Sequence, residues 1–324
     1  VTERPDFTGL RAVVTGGAGF IGSHLVDALL AAGCARVAVV DNFFLGKLEN
    51  IDAAAQHGER FHLYHEDAGE RTAMEAVIDA EKPDIVFNLA TKALLYSFFN
   101  PAGACGVNLD IALVLADLLR RGAYGRLVHV STSEVYGSAV RTPMDEDHPM
   151  LAETTYAAGK AAADLALASY VNQFDINVTT VRPFNNYGPR QNDGALAAIV
   201  PITIKRILSG QKPVIQGDGL QTRDFVYVAD TVDGLLRFAM CDAARGGVFN
   251  LASGRETTIK AIVEGLCDAL GYDGEIDWQP ARTADVRRHL AGVEKTRSII
   301  GDAAPTRLED GLLKTVGWYR GRNR

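Results

Sequence analysis

Hydrophobic and polar positions alternate in two rhythms along the first half of the chain. Short β-branched runs with few charges, Arg11–Thr15, Arg36–Val40, Phe61–His65, Ile85–Ala90 and Leu127–Ser131, have the composition of strands buried on both faces. Between them Phe20–Ala32, Arg71–Ala80 and Val107–Arg121 place apolar residues at helical spacing, and Tyr156–Gln173 and Asn177–Val181 add a further helix and a sixth strand. Strands that alternate with helices need crossover connections, which predicts an α/β, doubly wound parallel sheet covered on both faces. Beyond Pro183 the rhythm changes. The stretch 185–219 is rich in Gly, Pro, Asn and Gln, and arginines cluster after Gly271, so a smaller mixed C-terminal lobe that binds substrate is expected. The expected division is 1–183 plus 222–250 for the sheet domain and 184–221 plus 251–324 for the lobe, with Asp224–Cys241 returning to the main sheet as a strand and a helix.

The 324 residues are 47% hydrophobic and 23% charged, the balance of a globular chain rather than a disordered or collagen-like one. Against 40 acidic residues stand 33 basic ones, and the net charge of −7 argues against a nucleic-acid or anionic-membrane surface. Cys34, Cys105, Cys241 and Cys267 lie far apart with no C-x-x-C pair, so neither a metal site nor a disulfide framework is expected, only buried thiols. The N-terminal segment is polar and no apolar run reaches the ~18 residues of a membrane span, so a cytoplasmic protein is expected.

Arg11–Thr15 runs directly into Gly16-Gly17-Ala18-Gly19-Phe20-Ile21-Gly22 and then into a helix. Glycines at 16, 19 and 22 permit a tight turn, close approach of backbone to a pyrophosphate and close packing of helix on strand. The helix N-terminus adds N–H donors and a positive dipole end for phosphates. Asp41 ends the second strand, 19 positions past Gly22, where a carboxylate accepts hydrogen bonds from an adenosine ribose and repels a 2′-phosphate. The following Asn42-Phe43-Phe44 brings no arginine to neutralise such a phosphate, so the pattern is a Rossmann dinucleotide site for NAD rather than NADP. Phe20, Ile21 and Asn42 join the glycines and Asp41 as expected cofactor contacts.

Tyr156 and Lys160 stand four residues apart on one helical face. The lysine charge, with that of an oxidised nicotinamide, favours phenolate and brings a tyrosine from its ordinary pKa of ~10 towards the working range. Tyr156 is then placed to remove a hydroxyl proton while NAD takes hydride from the same carbon. Ser131-Thr132-Ser133-Glu134 ends a predicted parallel strand, the edge at which ligands of open α/β sheets gather. Thr132 can donate to a substrate hydroxyl, and Glu134 can serve as acid, base or orienter.

With these residues in this order the chain resembles the extended short-chain dehydrogenase/reductases that act on nucleotide sugars, which include epimerases, dehydratases and decarboxylases. The resemblance covers nearly the whole chain, because Gly16–Gly22, Asp41, Asp67, Asn88-Leu89-Ala90, Asn108, Thr132, Tyr156 with Lys160, Asn185, Gly188-Pro189-Arg190, Arg223-Asp224 and Arg282-Thr283-Ala284-Asp285 follow the family's order and spacing. It implies that Asp67-Ala68 contacts adenine, that Leu89, Ala90, Lys92 and Asn108 line the cofactor, and that Asn185, Arg223, Arg282 and Asp285 hold the nucleoside diphosphate. Arginine forks match phosphate oxygens and would neutralise a diphosphate in an otherwise acidic protein. Gln216 stands where relatives often carry an aromatic ring against the base. The resemblance also implies a homodimer through Val107–Arg121 and Tyr156–Gln173, where Ala157, Ala158, Ala161, Ala162 and Ala163 permit close approach of helices.

Family 4,6-dehydratases place an aspartate between the counterparts of Thr132 and Glu134. Here that position is Ser133, which cannot supply a proton as a carboxylic acid can. Thr132-Ser133-Glu134 looks like the triplet of nucleotide-uronate decarboxylases, but Ala157-Ala158 follows the tyrosine where those enzymes usually carry an acidic residue. Asn185-Asn186-Tyr187-Gly188-Pro189-Arg190-Gln191 resembles the uronate 4-epimerases, and Arg190 offers a charge-assisted pair to a C6 carboxylate. The expected activity is NAD-dependent 4-epimerisation of a UDP-sugar, UDP-glucuronate to UDP-galacturonate first, through transient C4 oxidation and hydride return to the opposite face. UDP-glucuronate decarboxylation, nucleotide-sugar dehydration and NAD sensing without turnover are the alternatives. Lys92 and Tyr96 to Phe99 are expected to shape the sugar pocket.

Overall fold

The computed structural model describes residues 5–194, 197–281 and 287–322. Strands β1 (Arg11–Thr15), β2 (Arg36–Val40), β3 (Phe61–Tyr64), β4 (Ile85–Asn88), β5 (Arg126–Val130) and β6 (Val178–Pro183) alternate with helices α1 (Phe20–Ala31), α2 (Asp52–Ala55), α3 (Arg71–Glu81), α4 (Pro101–Arg120) and α5 (Thr155–Phe174). The remainder runs β7 (Asn185–Tyr187), α6 (Ile199–Leu208), β8 (Val214–Gln216), β9 (Thr222–Arg223), β10 (Phe225–Tyr227), α7 (Val228–Ala239), β11 (Val248–Leu251), β12 (Thr257–Thr258), α8 (Ile259–Leu270), β13 (Asp277–Gln279), α9 (Glu294–Ile300) and α10 (Leu308–Arg322). The main sheet has seven strands in the order β11-β6-β5-β4-β1-β2-β3, every pair parallel. Chain order therefore reverses between β1 and β4, and the carboxyl ends of these two strands flank the crevice where open α/β sheets bind ligands.

The period of two along each strand decides which helix layer it meets. Val14, Val37, Val39 and Phe87 pack with Leu25 and Leu29 of α1 and Leu235 of α7 on one face. Val13, Ala38, Val40 and Val86 face the other way, against Met74 and Ile78 of α3, Leu115 of α4 and Leu167 of α5. A separate core of Tyr187, Ile204, Leu266, Leu312 and Val316 closes the C-terminal lobe around α6, α8 and α10. Small two-stranded pairs, β7 with β10, β9 with β12 and β8 with β13, edge that lobe.

Three expectations need correction. In Asp224–Cys241 only the helix α7 returns to the main sheet, while its strand, β10, pairs in parallel with β7 outside it. The seventh sheet strand is instead β11, four residues with the polar Asn250 among them. Helix α4 starts at Pro101, six residues before the apolar stripe becomes continuous, because Asn100 caps it by accepting from Gly103 N at 2.9 Å and Pro101 opens the first turn. That extension makes α4 long and apolar enough to cross a membrane by length and composition, with a mean hydropathy of 1.7 over its most apolar 18 residues, half of which are buried within the fold, although Asn108, Asp110 and Asp117 interrupt it. All four cysteines are free, Cys34 and Cys267 buried and the other two only half-buried. Among the described residues no cluster of His, Cys, Asp and Glu could hold a metal ion.

Helix α5 begins where Thr154 accepts from Ala157 N at 3.1 Å, and it lies directly along α4. The closest approach is at Gly159, where a Cβ would stand 2.5 Å from the carbonyl oxygen of Cys105. Backbone cannot yield there as a flexible side chain would. Gly159→Ala is expected to lower the unfolding free energy by about 2 kcal/mol, within the range of overpacked cores; urea titration checks it, and an unchanged midpoint would mean that the two helices separate freely.

Candidate active site

A cavity of about 470 Å³ opens at the β1–β4 crevice. Gly16 turns the chain out of β1 with φ +69, and a Cβ there would meet Leu89 and Ala90 backbone at 2.8 Å. A Cβ on Gly22 would lie against the Gly16 carbonyl oxygen. Both positions exclude side chains, so β1, α1 and the end of β4 close together into a cradle. No side chain caps the start of α1, which leaves its first-turn N–H groups to the cavity lined by Gly19, Phe20, Ile21 and Gly22.

Asp41 stands at the end of β2, buried, accepting from Ala18 N at 2.9 Å and Phe43 N at 2.8 Å; burial raises its pKa and those two donors oppose the shift. Asn42 donates to Asp67 at 2.7 Å, and Asp67 and Ala68 line the same end of the cavity. Leu89, Ala90 and Lys92 line it from β4. Asn108 does not. It is buried on α4, where its Oδ1 accepts from Thr91 Oγ1 at 2.8 Å and Lys92 N at 3.0 Å, so it holds the β4 loop in place rather than facing a ligand.

Thr132, Tyr156 and Lys160 line the opposite part of the cavity. Thr132 caps the short 3₁₀ turn Ser133–Tyr136, accepting from Glu134 N at 3.2 Å. Lys160 is 2% exposed and donates to Val130 O at 2.9 Å. Burial pulls its pKa down to about 8, against the opposing charge of Asp164 one turn further along α5. Burial pushes Tyr156 up to about 12, with the Thr132 and Thr91 hydroxyls drawing it back. The expected lowering of the tyrosine is not seen in the protein by itself, because desolvation and the Glu134 and Asp164 charges outweigh the two hydroxyl donors. Further positive charge in the cavity would bring the phenol down.

Glu134 and Arg223 approach each other beside this cavity. Burial raises the Glu134 carboxyl, and the Arg223 charge lowers it. Ser133 is buried next to them. His289, which no sequence signal singled out within its run of arginines, packs its ring 4.9 Å from that of Phe184 and faces Ser133 and Arg223. Burial holds it neutral, with a pKa near about 4. Asn185 lies on β7 and Gln216 on β8, both on the lobe and outside the lined cavity. Arg282 and Asp285 lie outside the described residues. Arg190 lines the cavity at φ +64, and its guanidinium stands 2.7 Å from the carboxylate of Asp27 of α1, although its Nη1 makes no hydrogen bond. Thr91, Asn186 and Phe44 also line the cavity; Asn186 and Phe44 fall in the motif segments 185–191 and 42–44 without an expected contact, and no motif marks Thr91.

The family description GDP-mannose 4,6 dehydratase matches residues 13–312. The UDP-glucose 4-epimerase of Mycolicibacterium smegmatis is 34% identical across 97% of this chain and 100% of its own. UDP-glucuronic acid decarboxylase 1 of Xenopus tropicalis is 33% identical across 96% of this chain and 72% of its own. The UDP-glucose 4-epimerase of Thermotoga maritima, solved with UDP-glucose, superposes with a TM-score of 0.91 at 32% identity, covering 97% of this chain and 100% of that one. Other solved neighbours are a dTDP-glucose 4,6-dehydratase and a UDP-glucose 4-epimerase, each in complex with NAD. The chain belongs to the GDP-mannose 4,6-dehydratase-like family of extended short-chain dehydrogenase/reductases. It is an enzyme of the nucleotide-sugar epimerase, dehydratase and decarboxylase group.

Tyr156→Phe is expected to bind dinucleotide and nucleotide sugar normally and to lose hydride transfer by several orders of magnitude, since only the base is removed. Near-normal turnover would place the base elsewhere. Lys160 loses its proton as pH rises through about 8, so activity should fall on that side; Lys160→Met should lack this limb and turn over at least about 10²-fold more slowly, as pH–rate profiles will show.

Proposed function

We propose that this chain is an NAD-dependent 4-epimerase of UDP-hexoses. The observation that carries this is a single cavity shared by the glycine cradle, Asp41, Thr132 and the Tyr156–Lys160 pair. The full-length similarity to UDP-glucose 4-epimerases supports it, as do the NAD-bound neighbours. Gly16, Gly19, Gly22 and the open N-terminus of α1 would hold the pyrophosphate, and Asp41 the adenosine ribose. NAD, when bound, supplies a hydride acceptor and a positive ring charge that would lower the Tyr156 phenol. Tyr156 removes the proton from the C4 hydroxyl and returns it at the end of the cycle, with Thr132 holding that oxygen and Lys160 stabilising the phenolate. Arg223 and Asn185 on the lobe would hold the diphosphate while the keto-sugar presents its other face.

Ser133 beside Thr132 provides no carboxylic acid to protonate a leaving hydroxyl, which favours epimerisation over dehydration. The similarity to UDP-glucose 4-epimerases favours a neutral hexose, UDP-glucose or UDP-galactose, as the leading substrate ahead of UDP-glucuronate. Proton NMR with mass spectrometry on UDP-glucose, UDP-glucuronate and UDP-N-acetylglucosamine tests this. A product of unchanged mass with inverted C4 proton coupling is expected. Loss of carbon dioxide from the uronate, or of water from a neutral sugar, would keep the Tyr156 chemistry and overturn the choice of reaction; NAD binding without exchange of sugar hydrogens would indicate a sensor.

The enzyme acts as a homodimer through the outer faces of α4 and α5, where Leu165 is 58% exposed beside half-buried Ala158 and Ala162. Light scattering after gel filtration should give twice the 34.8 kDa chain mass, and Leu165→Asp should give the monomer. A wild-type monomer at micromolar concentration would sink the dimer.

A further inference from the structure

Phe44 and Lys92 occupy matching positions, each four residues past the end of its strand, β2 for one and β4 for the other. β1 and the glycine cradle lie between these strands, so their ends are two strand spacings, about 10 Å, apart. Yet the side chains meet across the gap. Lys92 Nζ sits 3.9 Å from the centre of the Phe44 ring and 5.7 Å from that of Tyr96. The Phe44 and Tyr96 rings touch edge to face, with centroids 5.0 Å apart at 78°. Such a contact joins the attraction of a cation for a ring face to that of a ring edge for a ring face.

Both sides of this bridge stand on fixed supports. Phe44 N donates to Asn42 Oδ1 at 3.1 Å, and Asn42 is in turn held by Asp67; Phe43, at φ +56, turns the loop so that its own ring packs on His65 while Phe44 projects over the cavity. Across the cleft, Lys92 N is held by Asn108 of α4, and Tyr96 OH accepts from Asn100, the cap of the same helix, at 2.9 Å. Phe44 remains 40% exposed, so the bridge lies at the rim and not in the core.

We propose that Phe44, Lys92 and Tyr96 form a latch across the dinucleotide cavity that retains the cofactor between turnovers. This rests on the assignment of the cavity to NAD. A ligand lying in the cradle between β2 and β4 would have to part the bridge to leave, and parting it exposes the cation and both rings together. The three residues are thus positioning residues for cofactor retention, and their effect is on release rather than on hydride transfer.

The test is a chase. Protein loaded with NADH is mixed rapidly with excess NAD, and the decay of bound NADH fluorescence gives the release rate. Phe44→Ala and Tyr96→Ala should each release about tenfold faster than wild type. The double variant should fall well short of the product of the two, because both changes break one contact. Phe98→Ala, a neighbouring ring that is 68% exposed and outside the contact, should release at the wild-type rate. Wild-type release rates in both single variants, full multiplication in the double variant, or equal acceleration by Phe98→Ala would each overturn the latch. A wild-type protein that binds no NADH would overturn the cofactor assignment itself.

Discussion

Everything at the active site depends on two places where a side chain cannot fit. Gly16 brings the end of β1 against the backbone of Leu89 and Ala90, and Gly22 lets α1 start directly over the Gly16 carbonyl. Because these approaches are between backbone atoms, no rotamer change can relieve a substitution. They fix the start of α1 relative to β4, and so the direction of its unpaired N–H groups. The rim loops of β2 and β4, which carry Asp41, Phe44 and Lys92, then face each other across a gap set by sheet geometry alone.

The second constraint is electrical. Lys160 and Asp164 are buried on one helix, and Arg182 of β6 donates to Asp164 at 2.8 Å and to Tyr136 OH at 3.0 Å, while Tyr136 donates to Asn250 of β11 at 2.7 Å. On the other side Thr15 donates to Asn88 at 2.7 Å, and Asn88 meets His129 at 2.9 Å. Burial and the Lys160 charge keep His129 neutral. A lysine in so dry a place would readily shed its proton, and the nearby carboxylate offsets that tendency. The same burial raises the Tyr156 phenol, and a further positive charge in the cavity would draw it back down.

Much of this was legible in the residues. Charge-poor β-branched runs located the first six strands, and the glycine spacing followed by Asp41 marked the cradle, because both patterns are local. What stayed hidden was set by tertiary pairing. β10 reads as a strand but finds its partner in β7, and β11 is a short run broken by the polar Asn250. Asn108 follows the family pattern, yet its amide serves the loop beside it. His289 sits in a basic run that looks solvated until the fold buries it against Phe184. Arg190 shows the same limit: no sequence spacing announces that Asp27, on a helix far upstream, will meet its charge.

The division of labour between the two parts of the molecule explains why the half-reaction is easier to assign than its outcome. On the proposed mechanism the groups that act on the reacting carbon are fixed to the parallel sheet, Thr132 just past β5 and Tyr156 with Lys160 on α5, with NAD as the hydride acceptor. Whether the oxidised sugar turns over, loses its carboxylate or expels a hydroxyl is decided by what grips the rest of it. Those groups sit on the lobe, on short strand pairs such as β9 with β12, whose positions follow side-chain packing rather than a long hydrogen-bonded ladder. Arg190 connects the two parts, since its loop belongs to the lobe side and its guanidinium pairs with Asp27 on α1 of the sheet domain. Because Arg190 also lines the cavity and its Nη1 makes no hydrogen bond, the junction of the two parts keeps a cation within reach of whatever the lobe grips.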